Sequence, residues 1–434
     1  MLQRNSVADT DLIDRLQKAA FDYFLEHSHA ETGLIADHSL AGSPCSIAAT
    51  GFGLTAYPVA VERGWISRGE AVSRVLAALR FFAGSEQSRK PDATGYKGLY
   101  YHFLDMQTGK RAWRSELSTI DTALLIAGML AAATYFDRPA PGETELRRLA
   151  HDLYARADWQ WALNKGDTLT MGWRPGRGFL KYRWKGYSEA IILYILALAS
   201  PRHAVQPAHY RAFGEGHEWL TIDEKPYLYA APLFIHLFSH IWIDFRGIQD
   251  EFTAARQTDY FDNTVLAIEA QRHYAGRNPE GFYGYSEDVW GLTACGGPNR
   301  QRRLRDGRRR AFLGYSARGV PFGPDDGTLA PWAAAACLPF APQKAMIGVA
   351  AVLDAYPGLL RNGRFPGAFN PSLPGEGLEG WVEDREIGID QGLLVTMIEN
   401  HRSGFVWNLM RTSPVLRTGL ERAGFSGGWL STPD

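Results

Sequence analysis

Residues 186–201 read GYSEAIILYILALASP, and this stretch decides what kind of fold the chain can adopt. After Glu189 no charged side chain occurs for twelve residues, so a helix formed here is apolar on every side. Such a helix is stable only where other elements surround it. The segments IAATGFGLTAYPVAV (47–61) and DTALLIAGMLAAATYF (121–136) have the same character. The chain is therefore expected to bury several helices completely.

Amphipathic periodicity recurs in the rest of the chain, beginning with TDLIDRLQKAAFDYFLEH (10–27). Helices are predicted over 10–27, 46–63, 68–84, 119–136, 143–157, 188–199, 231–242, 253–275, 330–337, 342–355, 391–401 and 413–422. The segments between them are long and rich in Gly, Pro and aromatic residues, which is typical of functional loops. Short hairpins are predicted within 97–105 and 177–187.

No linker rich in Ser, Pro or charge divides the chain, so a single domain over residues 1–434 is predicted. About twelve helices in one domain predict an all-α fold, an (α/α)6 barrel in which six apolar inner helices are ringed by six outer ones. In such a toroid the long loops and short hairpins form a cleft at one end. The Arg-rich stretch 299–310 is expected to be a solvated loop, with an anionic ligand as the alternative.

Composition excludes several classes of protein. A formal net charge of -1 carries no basic bias of the kind that nucleic-acid or membrane-surface proteins show. Cys45, Cys295 and Cys337 are too few and too scattered for a disulfide framework or a zinc site, and no cofactor is expected. The first residues contain no apolar signal core, so the chain is expected in the cytoplasm if complete, or outside it if a leader was removed.

Acidic residues stand at the edges of the apolar helices, and each has two interpretations. Ser118 and Asp121 match a capping box, Glu189 and Asp390 could stabilise helix starts, and Asp244 could pair with Arg246. Alternatively, the helix starts of a toroid converge on its cavity and assemble these carboxylates there. Two carboxylates, one acting as acid and one as base or nucleophile, are what glycoside hydrolysis requires.

Aromatic residues beside glycines suggest where a sugar could bind, because an indole or phenol ring packs well on the apolar face of a pyranose. Tyr187, Trp290 and Trp381 lie in such contexts, RWKGY (183–187), VWGLT (289–293) and GWVED (380–384). Packing in the core is the alternative for each of them. The His236–His240 pair has a spacing that can hold a metal, but a polar-network role is favoured.

Several motifs, in this order, resemble the glycoamylase-like family, which includes bacterial β-1,2-glucanases and domains of cyclic β-1,2-glucan synthases. They are SIAATGFGLTAYPVAVERGWISRGEA, ELSTIDTALLIAG, MGWRPGRGFLKYRWKGYSEAIILYILALASP, FIHLFSHIWIDFRGIQD, YGYSEDVWGLTA, LAPWAAAACLPFAP, GIDQGLLVTMIEN and ENHRSGFVWNLM, and they run from residue 46 to residue 410. The resemblance implies an (α/α)6 barrel that acts on β-glucan or gluco-oligosaccharides. It leaves the oligomeric state unknown.

The resemblance also implies roles for individual residues. The Glu of GYSEA, Glu189, would be the general acid, and the Asp of GIDQG, Asp390, would be the base of an inverting mechanism. The other residues that it places at the sugar are Glu116, Asp121, Trp242, Asp244 and Arg246. Glu189 would then stand at a helix start with its side chain directed into the cleft.

Two departures from the family pattern affect the expected substrate. Gly296, in GLTACGGP (291–298), stands where relatives carry an Asp, and Trp332 replaces a small polar residue and could block one end of the cleft. The leading hypothesis is hydrolysis of β-glucan, and the β-1,2 linkage is favoured. A transglycosylase acting on β-1,2-glucan and a non-catalytic glucan-binding protein are the alternatives.

Overall fold

The computed structural model describes residues 6–222, 224–375 and 377–431. Within these residues the chain forms fifteen α-helices: α1 (Ser6–Glu26), α2 (Ile47–Glu62), α3 (Arg68–Gly84), α4 (Thr119–Tyr135), α5 (Pro141–Arg156), α6 (Trp159–Ala162), α7 (Ile191–Ala199), α8 (Pro207–Gly214), α9 (Glu251–Ala254), α10 (Tyr260–Arg277), α11 (Ala333–Ala336), α12 (Pro342–Ala355), α13 (Gly388–Arg402), α14 (Phe405–Arg411) and α15 (Pro414–Ala423). Four short 3-10 helices accompany them: Leu233–His236, Phe238–Ile241, Pro357–Leu359 and Gly428–Ser431.

The helices form an (α/α)6 barrel, as predicted. Its inner ring consists of α2, α4, α7, the two consecutive 3-10 helices 233–241, α11 and α13, and α13 closes the ring against α2. The chain enters each inner element from an outer helix: α1, α3, α5, α8, α10 and α12 in turn. Since every inner element is traversed in the same direction, all six begin at one end of the barrel.

Small residues let the inner helices approach closely. A Cβ atom placed on Gly128 of α4 would clash with the carbonyl of Gly51 in α2, and one on Gly51 would clash with the carbonyl of Leu124. Both helices start at a serine cap: the Ser46 hydroxyl accepts from the Ala49 N–H at 3.2 Å, and the Ser118 hydroxyl accepts from the Asp121 N–H at 3.2 Å. The N-cap half of the capping box predicted at Ser118 is present, but the Asp121 side chain accepts from the Ser118 hydroxyl instead of from the Ser118 backbone N–H.

Some helix boundaries differ from the predictions because capping and tertiary hydrogen bonds intervene. Residues 231–242 form two 3-10 helices instead of one α-helix, and the His236 carbonyl between them accepts from the Thr264 hydroxyl of α10 at 3.0 Å. The predicted helix 253–275 is divided, because Asp250 caps α9 and Asp259 caps α10. Helices α6, α8 and α14 were not predicted; they are short, and their periodicity is correspondingly weak.

Seventeen strands of two to four residues occur in the described parts of the chain, mostly in loops. They are β1 (Cys45–Ser46), β2 (Gly95–Tyr96), β3 (Leu99–Tyr101), β4 (Phe103–Leu104), β5 (Leu117–Ser118), β6 (Gly172–Arg174), β7 (Gly178–Phe179), β8 (Trp219–Ile222), β9 (Lys225–Leu228), β10 (Ile248–Gln249), β11 (Ala294–Cys295), β12 (Arg300–Arg303), β13 (Arg309–Phe312), β14 (Ser316–Ala317), β15 (Phe369–Asn370), β16 (Trp381–Val382) and β17 (Ser426–Gly427).

The strands pair antiparallel into small sheets. Five make one sheet in the order β2-β3-β5-β6-β7, and the others pair two by two. The hairpin predicted within 97–105 contains β3 and β4, which pair with other strands, whereas the hairpin expected at 177–187 lies earlier, at β6 and β7. The Arg-rich stretch is a β12–β13 hairpin, with Arg300 opposite Phe312 and Arg303 opposite Arg309, and its β12 residues are exposed.

One connected set of buried apolar side chains runs from Ile13 to Phe425 and fills the barrel wall. It contains the helix stretches that the sequence marks as apolar on every side; all residues of α7 up to Leu198 are buried. No helix in the described part of the chain is both long and apolar enough to span a bilayer.

Candidate active site

A cavity of about 170 Å³ opens at the end of the barrel where the inner elements begin. Three inner elements, α4, the 3-10 pair and α13, contribute to its wall, together with the residues just before α7 and α11 and with two loops. The lining residues are His102, Ile120, Asp121, Leu124, Glu189, Phe234, Phe238, Ala294, Tyr315, Trp332, Ile389 and Asp390. Three carboxylates that the sequence places at three different helix starts therefore share one cavity. A larger groove on α12, about 730 Å³, is mainly apolar and lies away from this end.

Glu189 stands in the turn immediately before α7, which begins at Ile191. It is therefore not a residue of the first helical turn, and the interpretation as a helix-stabilising carboxylate is not needed. A hydrogen bond from the neighbouring inner element holds this turn: the Ser239 hydroxyl donates to the Glu189 carbonyl at 3.0 Å. Burial raises the pKa of Glu189 to about 7; the backbone N–H opposes this shift, and the charge of Asp121 adds to it.

Asp390 lies in the first turn of α13 and is buried. The residue at the N-cap position is Ile387, so Asp390 is not the cap that its sequence position suggested. Burial raises the pKa of Asp390 well above its ordinary value, and the negative charges of Glu383 and Asp37 raise it further. The cavity thus holds two carboxyl groups, Glu189 and Asp390, that favour the protonated form more than exposed carboxyl groups do.

His102 links two of the predicted acids, and sequence reasoning missed it. Its Nδ1 lies 3.1 Å from Glu116 Oε1, and its Nε2 lies 3.5 Å from Asp121 Oδ1. Burial lowers the pKa of His102, but Asp121, Glu116 and Asp37 outweigh burial and raise it to about 9. The hydrogen bond from His102 in turn lowers the pKa of Glu116 to about 2. A pKa of about 9 favours the His102 cation at neutral pH. Glu116 is not among the residues that line the cavity.

A further buried carboxylate, Glu383, occupies the space next to Gly296. A Cβ atom on Gly296 would clash with the Glu383 carboxylate. A Cβ atom on Gly367 would lie 2.6 Å from the same carboxylate. Arg385 pairs with Glu383, which is 4% exposed. An aspartate at position 296 would therefore require the Glu383 carboxylate to move. Glu383 lies within GWVED (380–384), but it does not stand at a helix start, so the tertiary contacts were needed to identify it as a buried carboxylate.

Trp332 lies in the wall of the cavity. It is buried at the start of α11, among the lining residues that include Glu189 and Asp390. The expectation that Trp332 could block one end of the cleft stays a prediction.

The aromatic residues predicted to contact sugar lie in the core instead. Trp242 is fully buried, and its indole N–H donates to the Thr55 hydroxyl at 3.0 Å. The Tyr187 hydroxyl meets His236 Nδ1 at 3.2 Å, and its ring stacks on Tyr260. These side chains present no free face to a ligand, because the barrel needs large rings to fill the space between its helices.

The other two tryptophans also pack away from the cavity. Trp290 is buried beside Gly348 of α12. Trp381 packs against Leu304, Phe312 and Leu373, where it supports the underside of the Arg-rich hairpin. Neither residue lines the cavity, so the structure does not place them where a sugar bound there would touch them.

Asp244 and Arg246 lie at the opposite end of the barrel from the cavity, since they follow the end of an inner element. Arg246 donates to both carboxylate oxygens of Asp244, at 2.8 and 2.7 Å, and Arg411 also pairs with Asp244. Hydrogen bonds and the two cations lower the pKa of Asp244 although burial raises it. The ion pair holds both side chains, and neither residue lines the cavity where the sequence analysis expected them to contact sugar.

His236 and His240 belong to a buried polar network. His236 contacts Tyr187, Tyr227 and the Ala230 carbonyl, and His240 Nε2 lies 3.1 Å from the Thr264 hydroxyl. Burial lowers the pKa of both imidazoles, to about 4 and about 3. Among the described residues no cluster of histidine, cysteine and acidic side chains has the arrangement of a metal site.

Comparison with known proteins places this site in context. The chain is 26% identical over 452 aligned positions to an exo β-1,2-glucooligosaccharide sophorohydrolase (non-reducing end) of Parabacteroides distasonis, covering 96% of this chain and 58% of that protein. A β-1,2-glucanase structure from the same species has a TM-score of 0.83 at 25% identity, covering 96% of this chain and 60% of that one. The chain thus spans about three fifths of these two relatives.

A relative of similar length has the same fold. The structure of an endo-β-1,2-glucanase from Chitinophaga pinensis, solved with sophorotriose and glucose, has a TM-score of 0.83 at 24% identity and covers 97% of this chain and 99% of that one. In addition, the family model for Glycoamylase, a glucoamylase family, matches residues 181–414, which include both Glu189 and Asp390. The chain therefore belongs to the glycoamylase family.

Proposed function

We propose that the chain is a glycoside hydrolase that cleaves β-1,2-glucan or its oligosaccharides with Glu189 as general acid and Asp390 as general base. The observation that carries the proposal is that these two carboxyl groups line one cavity although 200 residues separate them. The substrate class is supported by the functions of the relatives from Parabacteroides distasonis and Chitinophaga pinensis.

The electrostatics support the assignment of the acid. A general acid must hold its proton near neutral pH and release it to the departing glycosidic oxygen. The pKa of Glu189, about 7, suits that task. Asp121, beside the His102 cation, supplies a negative charge near Glu189 that helps to keep its proton in place.

The base must be ionised, whereas burial raises the pKa of Asp390 and favours its protonated form. A water molecule and a sugar hydroxyl that donate hydrogen bonds to Asp390 would favour the carboxylate. In an inverting reaction this carboxylate activates the water for attack on the face opposite the leaving group. Substrate binding is thus proposed to prepare the base as well as to position the bond.

The test is product formation from linear β-1,2-glucan by the wild type, Glu189→Gln and Asp390→Asn. We expect short reducing oligosaccharides from the wild type and a loss of at least about 100-fold in kcat for each variant. Proton NMR of the first products should show the α-anomer, because an inverting enzyme changes the β-configuration.

Two controls make the result decisive. Asp244→Asn alters an acid at the far end of the barrel; it should lose stability while the folded enzyme keeps the mechanism and product anomer. A wild type that releases no products from β-1,2-glucan or its oligosaccharides would contradict the proposed function. Full activity in Glu189→Gln would contradict the acid assignment alone.

A further inference from the structure

Tyr315 occupies an unusual position among the aromatic residues of the chain. It lines the cavity together with Glu189 and Asp390, yet 77% of its surface is exposed. A ring that lines the cavity and is nevertheless largely exposed borders the opening of the cavity. The other rings that line the cavity, Phe234, Phe238 and Trp332, have far less accessible surface.

The segment that carries Tyr315 is held at its base by a buried ion pair. Arg318 is fully buried and donates to Asp326 at 2.7 and 2.8 Å. The same guanidinium donates to the carbonyls of Cys295 and Gly296 on one side, and of Leu313 and Gly314 on the other. A single planar guanidinium thus forms hydrogen bonds with the backbone both before and after the Arg-rich hairpin.

Two further contacts hold the backbone around Tyr315. Asp326 accepts from the Leu313 N–H at 2.8 Å, and Ser316, next to Tyr315, pairs with Cys295 across β11 and β14. The backbone of Tyr315 is therefore fixed on both sides by hydrogen bonds. The ring, by contrast, has no hydrogen bond and no aromatic neighbour among the contacts of the described residues. An exposed ring on a rigid backbone is suited to receive a ligand at low entropic cost, since a tyrosine has only two side-chain torsions to order.

We propose that Tyr315 is a substrate-stacking residue that holds a glucosyl ring over the Glu189–Asp390 pair. The inference rests on the proposed function and deepens it by naming a specificity-determining contact. The apolar face of a pyranose covers an aromatic ring well, and the phenol hydroxyl can donate to a sugar oxygen.

The test compares Tyr315→Ala and Tyr315→Phe with a matched control, Tyr182→Ala. Tyr182 is 72% exposed and lies outside the cavity lining, so its removal reports the effect of losing an exposed ring elsewhere. With β-1,2-linked glucotriose as substrate, we expect Tyr315→Ala to lower kcat/KM about tenfold, mainly through KM. Tyr315→Phe should retain most of the activity because it keeps the stacking face.

Calorimetric titration of glucotriose into Glu189→Gln, with and without Tyr315→Ala, measures the same contact without turnover. A drop of about tenfold in affinity supports the inference. An active wild type whose Tyr315→Ala variant binds and reacts like Tyr182→Ala would overturn it, and the proposed function would stand. A wild type that neither cleaves nor binds the sugar would overturn both. Because Tyr315 is exposed, its variants should melt at the wild-type temperature, which separates a contact effect from misfolding.

Discussion

At the scale of single residues, the site concentrates carboxyl groups whose environments push their pKa values in opposite directions. Burial raises the pKa values of Glu189 and Asp390, whereas the hydrogen bond from His102 lowers the pKa of Glu116. Separated pKa values among neighbouring acids allow one group to hold a proton while another stays charged. The same separation has consequences for stability, because a shifted pKa links folding to pH.

Glu189→Gln is expected to stabilise the folded protein at alkaline pH. The folded-state pKa of about 7 exceeds the ordinary value of 4.5, so the folded state binds the proton more tightly than the unfolded state. The wild type therefore loses stability as pH rises from about 4.5 to about 7, and the neutral amide avoids that loss. At pH 8 the gain in unfolding free energy should be about 1–3 kcal/mol, measured by urea denaturation.

Glu116→Gln is the matched control with the opposite sign. The pKa of Glu116 is lowered to about 2, so its charge stabilises the fold above about pH 4.5 and this contribution disappears as pH falls toward 2. The variant should be less stable than the wild type at pH 7, and the difference should shrink in acid. Equal pH profiles for the two variants would contradict the electrostatic description of the site.

At the scale of elements, close packing of α2 and α4 sets the spacing of the inner ring. Gly51 and Gly128 face each other so closely that neither position has room for a Cβ atom. Both helices begin within the loop system of the cleft, and α4 carries Asp121 in its first turn. A shift between these helices is therefore transmitted directly to the cavity wall.

Gly128→Ala should destabilise the protein by about 1–3 kcal/mol, because the added methyl group must push apart two backbones rather than displace a flexible side chain. Gly69→Ala is the control: Gly69 lies in α3, and a Cβ atom there meets nothing within 4 Å. That variant should be neutral or slightly more stable, as expected from helix propensity. Thermal melts of both variants test the prediction, and similar melting temperatures would argue against a tight α2–α4 contact.

At the scale of the whole molecule, the ring joins the two ends of the chain. Helix α1 packs on α13, and α15 packs on α7, so early and late segments contribute to one buried core. The acid before α7 and the base at the start of α13 are attached to this common core. Their relative position depends on closure of the ring rather than on any local segment.

We expect the chain to unfold as one cooperative unit. None of the described elements belongs to a separate buried core of comparable size. Tryptophan fluorescence and far-ultraviolet circular dichroism should report coincident urea transitions. Loss of activity, followed in the same samples, should coincide with both. Two separated transitions would contradict the prediction of a single domain over residues 1–434.

Much of the fold follows from local patterns in the sequence. Apolar runs without charge mark α2, α4 and α7 because side chains on all faces of these helices must be buried. Serine caps and prolines mark several helix starts, and most predicted boundaries of long helices agree with the structure to within three residues. These features are local, since they depend on residues within one or two helical turns.

The composition of the cavity was decided by tertiary structure. The sequence alone presents Asp121, Glu189, Asp244 and Asp390 as equivalent acids near helix ends, but only the three at the starts of inner elements meet. Likewise Trp242 and Trp290 cannot be told from ligand-binding rings until the barrel surrounds them. Tyr315 follows a glycine and Glu383 lies within GWVED, but such contexts also occur at residues outside the cavity. The physical reason is that burial, pKa and solvent access arise from contacts between distant segments, whereas helix formation requires only near neighbours in the chain.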